Sequence, residues 1–261
     1  MTPSLPYRVW VLGAVLSVLP RVATATPSTQ VWIPSTDIQK FASVHLNDDV
    51  YARPGKATML MLGPTIGVLP FKKIQAEVGF DLMFQSNMDY DKYPFYGHAK
   101  LAMPEDAMFG WSPAVAIGVC NVGTKQKLTG QDVGYGLIAR TIPYVGRLSA
   151  GYFYGNPDVL VDQHGRAANH GVLASWDRAV SEFTDKLWLA VDYQGSNSVM
   201  GAVNFGVSWL FTPNISVIVG YDHFLNQKVS GKDTFTIQID INLPGLAPSS
   251  DEPKPVSAEA T

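Results

Sequence analysis

The sequence predicts an all-β fold, a transmembrane antiparallel up-and-down β-barrel of about twelve strands. Three observations carry that prediction. The first is a period of two in long segments. Between residues 74 and 84, Ile74, Ala76, Val78, Phe80, Leu82 and Phe84 are apolar, and Gln75, Glu77, Gly79 and Asp81 between them are polar or small. Only an extended strand turns that period into two faces. About eleven residues is also the length of a tilted strand that crosses a bilayer. The second is composition: only 16% of residues are charged and 11% are aromatic. An ordinary soluble domain carries about 25% charge. The third is the absence of any continuous apolar run of about 18 residues beside this low charge, which excludes a membrane helix and leaves strands as the spanning elements.

The elements follow in order. Residues 1–25 read as a secretory signal: Arg8 gives a positive start, Val9 to Leu19 an apolar stretch, and Ala23-Thr24-Ala25 a small-x-small cleavage site. Cleavage near Ala25 removes Arg8 and Arg21 and takes the formal charge from −3 to −5. That mild acidity gives no footprint for nucleic acid. The barrel domain is expected over residues 26–243. Its strands are expected near 39–51, 57–68, 73–85, 94–103, 112–122, 132–141, 146–155, 170–177, 186–194, 198–211, 214–224 and 233–242. Gly, Pro, Asn and Asp fill the connections between them, as turns require. The connection at 178–185 has room for a helical turn. Residues 244–261, rich in Pro, Ser, Ala and charge, read as a disordered tail. Cys120 is the only cysteine, so no intrachain disulfide is available, and its apolar strand marks it as a buried thiol.

Alternation alone does not say which face points inward. A secreted soluble β-sandwich or barrel would bury the apolar face, whereas a membrane barrel turns it to lipid. The aromatic residues favour the second. With the amino terminus in the periplasm, Phe84, Phe95, Tyr135, Tyr154, Tyr193, Tyr221 and Phe235 fall at the outer interface, and Trp176, Trp209 and Phe211 at the periplasmic one. Two aromatic girdles around an apolar band are the mark of a membrane barrel. The connections at 69–72, 143–145 and 212–214 are short, and those near 86–93, 123–131, 156–169 and 225–232 are longer.

On these features the chain resembles the outer-membrane barrel proteins of Gram-negative bacteria over residues 26–243. The segments Trp32-Ile33-Pro34-Ser35-Thr36-Asp37 and Gly67-Val68-Leu69-Pro70-Phe71 are similar to segments of porin-like outer-membrane proteins without a characterised activity. The resemblance implies an outer-membrane location. It implies contact with membrane lipid and lipopolysaccharide, and insertion by barrel assembly machinery. Such barrels commonly finish on a terminal aromatic, whereas an 18-residue tail follows Leu243 here.

Charges on strands cannot face lipid cheaply. Glu77, Asp81, His98, Lys100, Arg140, Arg147, Lys186, Asp192, Asn204, Asp222, Gln238 and Asp240 are therefore expected to line the lumen. Small residues such as Gly79, Ala102, Gly118, Gly151, Gly206 and Ser208 share that face and leave room. The expected function is a narrow passive channel for small hydrophilic solutes or ions, with Lys100 and Arg140 facing Asp192 and Asp222 across a transverse field. The alternative is a plugged structural or surface-binding barrel with function in its outer loops. A lipid-modifying enzyme or protease stands behind both. There is no Gly-x-Ser-x-Gly elbow, no His-Glu-x-x-His and no Cys/His metal spacing. The one cluster of interest is Asp162, His164 and His170. Asp48-Asp49 and Asp89-x-Asp91 read as solvated loop carboxylates. No cofactor or metal is expected.

Overall fold

Twelve strands close into one antiparallel barrel in a computed structural model that describes residues 29–244 except Lys56. The strands are β1 (Val44–Ala52), β2 (Met59–Gly67), β3 (Gln75–Phe84), β4 (Phe95–Met103), β5 (Ala114–Gly123), β6 (Val133–Ile142), β7 (Gly146–Tyr154), β8 (His170–Ala179), β9 (Leu187–Gln194), β10 (Ala202–Thr212), β11 (Ile215–Phe224) and β12 (Thr234–Leu243). Each pairs with its neighbours in sequence, and β1 closes on β12 from Val44↔Leu243 to Ala52↔Phe235. Closure removes every sheet edge, so no backbone ladder is left open to lipid. Two single-turn helices sit in the longer loops at the upper end, α1 (Met88–Asp91) and α2 (Gln227–Ser230). The expected signal segment and the C-terminal tail lie outside the described residues.

The expected strands match the observed ones to within a few residues, apart from the first and the tenth. β1 begins at Val44 rather than near 39, because residues 39–43 form a corner. Ala42 takes φ 58 there, and its N–H donates to the Gly67 carbonyl. β10 begins at Ala202, and the residues before it belong to the upper loop that contains Met200. In the 180–186 connection the Thr184 N–H reaches the Val180 carbonyl, which makes a single turn. At the lower end the β6–β7 turn is tight: Tyr144 has φ 66 and Gly146 φ 110. The second of these is a conformation that suits glycine. Asn121, at φ 54, marks a bulge in β5, where the β4–β5 register shifts between Gly97 and Ala99.

The pleat sorts residues as the period of two requires. Ile117, Ile138, Val172, Val207, Val219 and Ile237 point outward on their strands, each about half exposed. With their neighbours they form one aliphatic belt around the closed barrel, the lipid-facing surface of a transmembrane barrel. No helix among the described residues is long and apolar enough to cross a membrane. Phe95, Tyr154, Tyr193 and Phe235 are exposed above the belt, and Trp209 and Phe211 below it. Phe84, Tyr221 and Trp176 share outward register positions with Leu60, Phe235 and Leu148.

Tyr135 departs from the expected girdle. It pairs in register with the fully buried Phe153 and packs against the interior apolar cluster, so it faces the lumen. Its place near a strand end suggested the interface, but its parity on β6, shared with Val133 and Leu137, decides otherwise.

Candidate functional site: the filled lumen

A twelve-stranded ring is wider than its own side chains can fill. Here the chain fills it with itself. Residues 29–41 lie inside it, descending from the upper half of the lumen to the lower corner that leads into β1. The Gln30 N–H donates to the Ile33 carbonyl at 2.8 Å, and Thr29 bridges Pro34, which gives the segment a tight tip. Val31, Ile33 and Ser35 are at most 1% exposed. The Trp32 ring meets Tyr51 and Phe224 edge-on, each at 5.8 Å. Tyr51 and Phe224 stand at the upper ends of β1 and β11, so the insertion reaches the upper half of the lumen. Loops close over it from above: Leu160 and Met200 join Ile33, Phe153, Leu173 and their neighbours in one apolar cluster inside the ring.

Polar wall residues hold the inserted backbone. One oxygen of Asp192 accepts the N–H groups of Val31 and Trp32 at 2.8 and 2.9 Å, and its other oxygen accepts the Asn204 amide. The Gln238 amide donates to the Val31 carbonyl at 2.8 Å. The Gln30 amide donates to Asp177, which Arg147 also grips at 2.9 Å while reaching Asp37 at 2.6 Å. On the opposite wall Glu77 accepts the Gln39 N–H at 2.8 Å and pairs with Lys100 at 2.9 Å. Lys100 in turn donates to the Ser35 carbonyl. Most of these bonds satisfy a buried polar group that would otherwise cost about 1–3 kcal/mol. The small residues of the wall make the close approach possible. A Cβ on Gly206 would lie 2.5 Å from Val31 Cγ2, and one on Gly220 3.1 Å from Val31 Cγ1.

Between this segment and the β1–β5 wall a cavity of about 150 Å³ remains. Its polar lining includes His45, Asp49, Thr65, Asp81, His98, Lys100 and Asp240. His45 stands 3.3 Å from Asp240 and His98 3.3 Å from Asp81. His98 Nε2 lies 2.8 Å from the Thr65 hydroxyl. That reach crosses Gly79, where a Cβ would meet His98 Nε2 at 2.3 Å. Thr65, His98 and Asp81 thus form a hydroxyl–imidazole–carboxylate chain. Acyl-transfer chemistry also needs donors aimed at a developing oxyanion. Around Thr65 the backbone is spent in the ladders to His45 and Gly79, and Lys100 is engaged by Glu77 and Ser35.

Of the residues expected to line the lumen, Glu77, Asp81, His98, Lys100, Arg147, Asp192, Asn204, Asp222, Gln238 and Asp240 point inward. Two do not. Arg140 pairs in register with Leu148 on the outward face, at the lower rim. It reaches Asp106 at 2.7 Å and Glu105 at 3.4 Å and lies over the Trp111 ring at 4.8 Å. This grip holds the Asp106 carboxyl below its ordinary value. Lys186 precedes β9 and is exposed in the lower connection. With Arg140 outside and Lys100 paired, the expected transverse field has no positive side. The small residues were expected to leave room for solute; at Gly206 and Gly220 that room is taken by Val31.

Further expectations are corrected. Asp48 and Asp49 are not loop residues but neighbours within β1, on opposite faces. Asp162, His164 and His170 do not assemble. Asp162 is held by Arg166 and the His164 N–H, and His170 contacts Tyr152. Sequence reasoning missed His45, Asp49 and Asp177, whose inward parity was legible. It also missed the inserted segment, which has no period to read.

No family model and no curated protein sequence matches the chain. Among solved structures it is similar to an outer membrane channel from Pseudomonas putida F1, with TM-score 0.49, 10% identity, and coverage of 79% of this chain and 97% of that one. It is also similar to KdgM porin in complex with disordered oligogalacturonate, with TM-score 0.49, 8% identity, and coverage of 77% and 99%. NanC porin follows, with TM-score 0.45, 9% identity, and coverage of 76% and 99%. The fold described above stands on the strand registers alone.

Proposed function

We propose that the protein is an outer-membrane channel for small hydrophilic solutes or ions, held shut at rest by its own residues 29–41. The observation that supports this reading is the manner of filling. The lumen is occupied by a segment that joins the wall at the lower corner before β1 and is held by side chain to backbone hydrogen bonds and ion pairs beside its apolar contacts, next to a residual polar cavity. Water can replace such bonds group by group, which a continuous apolar core would not allow. Withdrawal of the segment would leave a ring lined by Glu77, Lys100, Arg147, Asp177, Asp192, Gln238 and Asp240, a mixed-charge wall suited to hydrated solutes.

The test is conductance in a planar bilayer. The full chain after signal removal is compared with a variant lacking residues 29–38, each shown to be folded by its altered migration when unboiled. The full chain should be silent or open rarely, and the variant should give discrete steps. A folded variant that remains silent would favour the plugged structural reading instead.

A further inference from the structure

The residual cavity holds one more carboxyl group than the protein supplies cationic partners for. Four carboxylates line it, those of Asp49, Glu77, Asp81 and Asp240, against Lys100 and two histidines. Glu77 has Lys100, Asp81 has His98 and Asp240 has His45. Even with both imidazoles charged, one carboxylate is left over. Asp49 is only 6% exposed, and its hydrogen-bond partner is the neutral side chain of Asn47. Its acidic neighbours include Asp240 and Asp81. Buried charges are normally paired, because the field of an unpaired one is hardly screened.

Part of the lining is soft and apolar. Met61, Met83 and Met200 present thioethers, and Trp32 and Tyr51 present rings. Met61 and Met83 are direct register partners on β2 and β3, so both thioethers start from one level of the wall. Thioethers and aromatic faces attract polarised alkyl groups and cations. A cavity of about 150 Å³ holds a guest of roughly benzene size.

We propose that this cavity is a binding site for a small monovalent organic ammonium ion, whose charged nitrogen faces Asp49 and whose alkyl groups rest on the methionine and aromatic wall. A guest of charge +1 matches the one carboxyl left over in the cavity. Among the described residues no group of three or more His, Cys, Asp or Glu side chains is placed to hold a metal ion. The inference deepens the channel reading and rests on it, because the lumen is the route by which a solute reaches the cavity. The site would then set which solutes dwell in that route.

Isothermal titration of the full chain in detergent micelles reads the site without requiring conduction. Failure here and failure of the channel reading are therefore separate results. The probes are choline chloride, the neutral alcohol in which carbon replaces the choline nitrogen, and calcium chloride. Choline should bind at one site per chain and the neutral isostere should not. Asp49→Asn should weaken choline binding about tenfold or more, the worth of a charge-assisted contact. Asp48→Asn, one residue away on the outward face, should leave it unchanged. Equal binding of the isostere, no binding of choline, calcium binding at the same site in preference to choline, or undiminished binding to folded Asp49→Asn would each overturn the proposal. The comparison of choline with its isostere uses the natural chain, and decides the matter even where the Asp49 variant fails to fold.

Discussion

The two arcs of the barrel wall meet the same inserted segment differently. The arc from β8 to β12 docks its tip closely: Asp192 and Gln238 hold the Val31 peptide, and Gly206 and Gly220 let the Val31 side chain touch the sheet. The arc from β1 to β5 stands off. It contacts the segment mainly through the Glu77–Lys100 pair and leaves the cavity between. The difference is one of side-chain size. Glycines on β10 and β11 leave room for the Val31 side chain against the sheet, whereas Met61, Met83, His98 and Lys100 on the other arc hold the segment at a distance. A ring too wide for its own side chains is therefore filled on one side and open on the other.

This comparison can be broken in order of expected effect. Lys100→Met leaves Glu77 buried without its cation and should cost about 3–5 kcal/mol, read as a lower urea midpoint in vesicles. An unchanged midpoint would mean that water already reaches the pair, and that the β1–β5 arc is open to solvent. Asp192→Asn sets an amide donor against the Asn204 amide and weakens the grip on Val31 and Trp32. It should cost about 1–3 kcal/mol and raise the frequency of channel opening. A loss of stability without more openings would separate docking of the tip from closure of the pore.

Asp48 sharpens the contrast between faces. It lies at the middle of β1 on the outward side, in register with Leu62 and Ile239, inside the aliphatic belt. Asp48→Leu should raise the urea midpoint by a gain below about 2 kcal/mol, since an acidic residue in the belt costs less than the 2–4 kcal/mol of a basic one. No gain would place water or another protein against this face.

The smallest effect concerns the upper loop around Asp162. Desolvation opposes ionisation of its carboxyl. Hydrogen bonds from the Arg166 backbone and side chain and from the His164 N–H outweigh it and set the carboxyl at about 2. A depressed value means that the contribution to order is present above the ordinary carboxylate value of 3.8 and is lost as pH falls through about 2. Proteolysis of residues 155–169 should therefore be unchanged from neutral pH down to about pH 4 and quicken only below it. Quickening near neutral pH would assign loop order to another group.

The fold was legible because the pleat writes itself into the sequence. Phe235, Ile237, Ile239 and Ile241 alternate with Thr234, Thr236, Gln238 and Asp240, and each set takes one face. The lumen was legible in part by the same rule. Glu77, Asp192 and Gln238 follow inward parity; Arg140 takes the outward parity of Ile138 although its charge alone points to the lumen. Tyr135 takes the inward parity of Leu137 although its ring alone points to the interface. Rim residues invite both errors, since a long side chain at a strand end can find partners outside the ring.

By itself the sequence determined the strands, their two faces and the closure they require, because a period of two and unpaired edges in lipid admit few solutions. Only the tertiary structure decided what fills the ring. Residues 29–41 have no period, and their partners are remote: Gln238, which holds the Val31 carbonyl, is 207 residues away in sequence, and Asp192 is 161 away from the Val31 N–H it accepts. Those partners lie on β12 and β9 and converge on Val31 only in the folded barrel. The insertion is a property of the closed ring, set by where its polar groups and glycines converge.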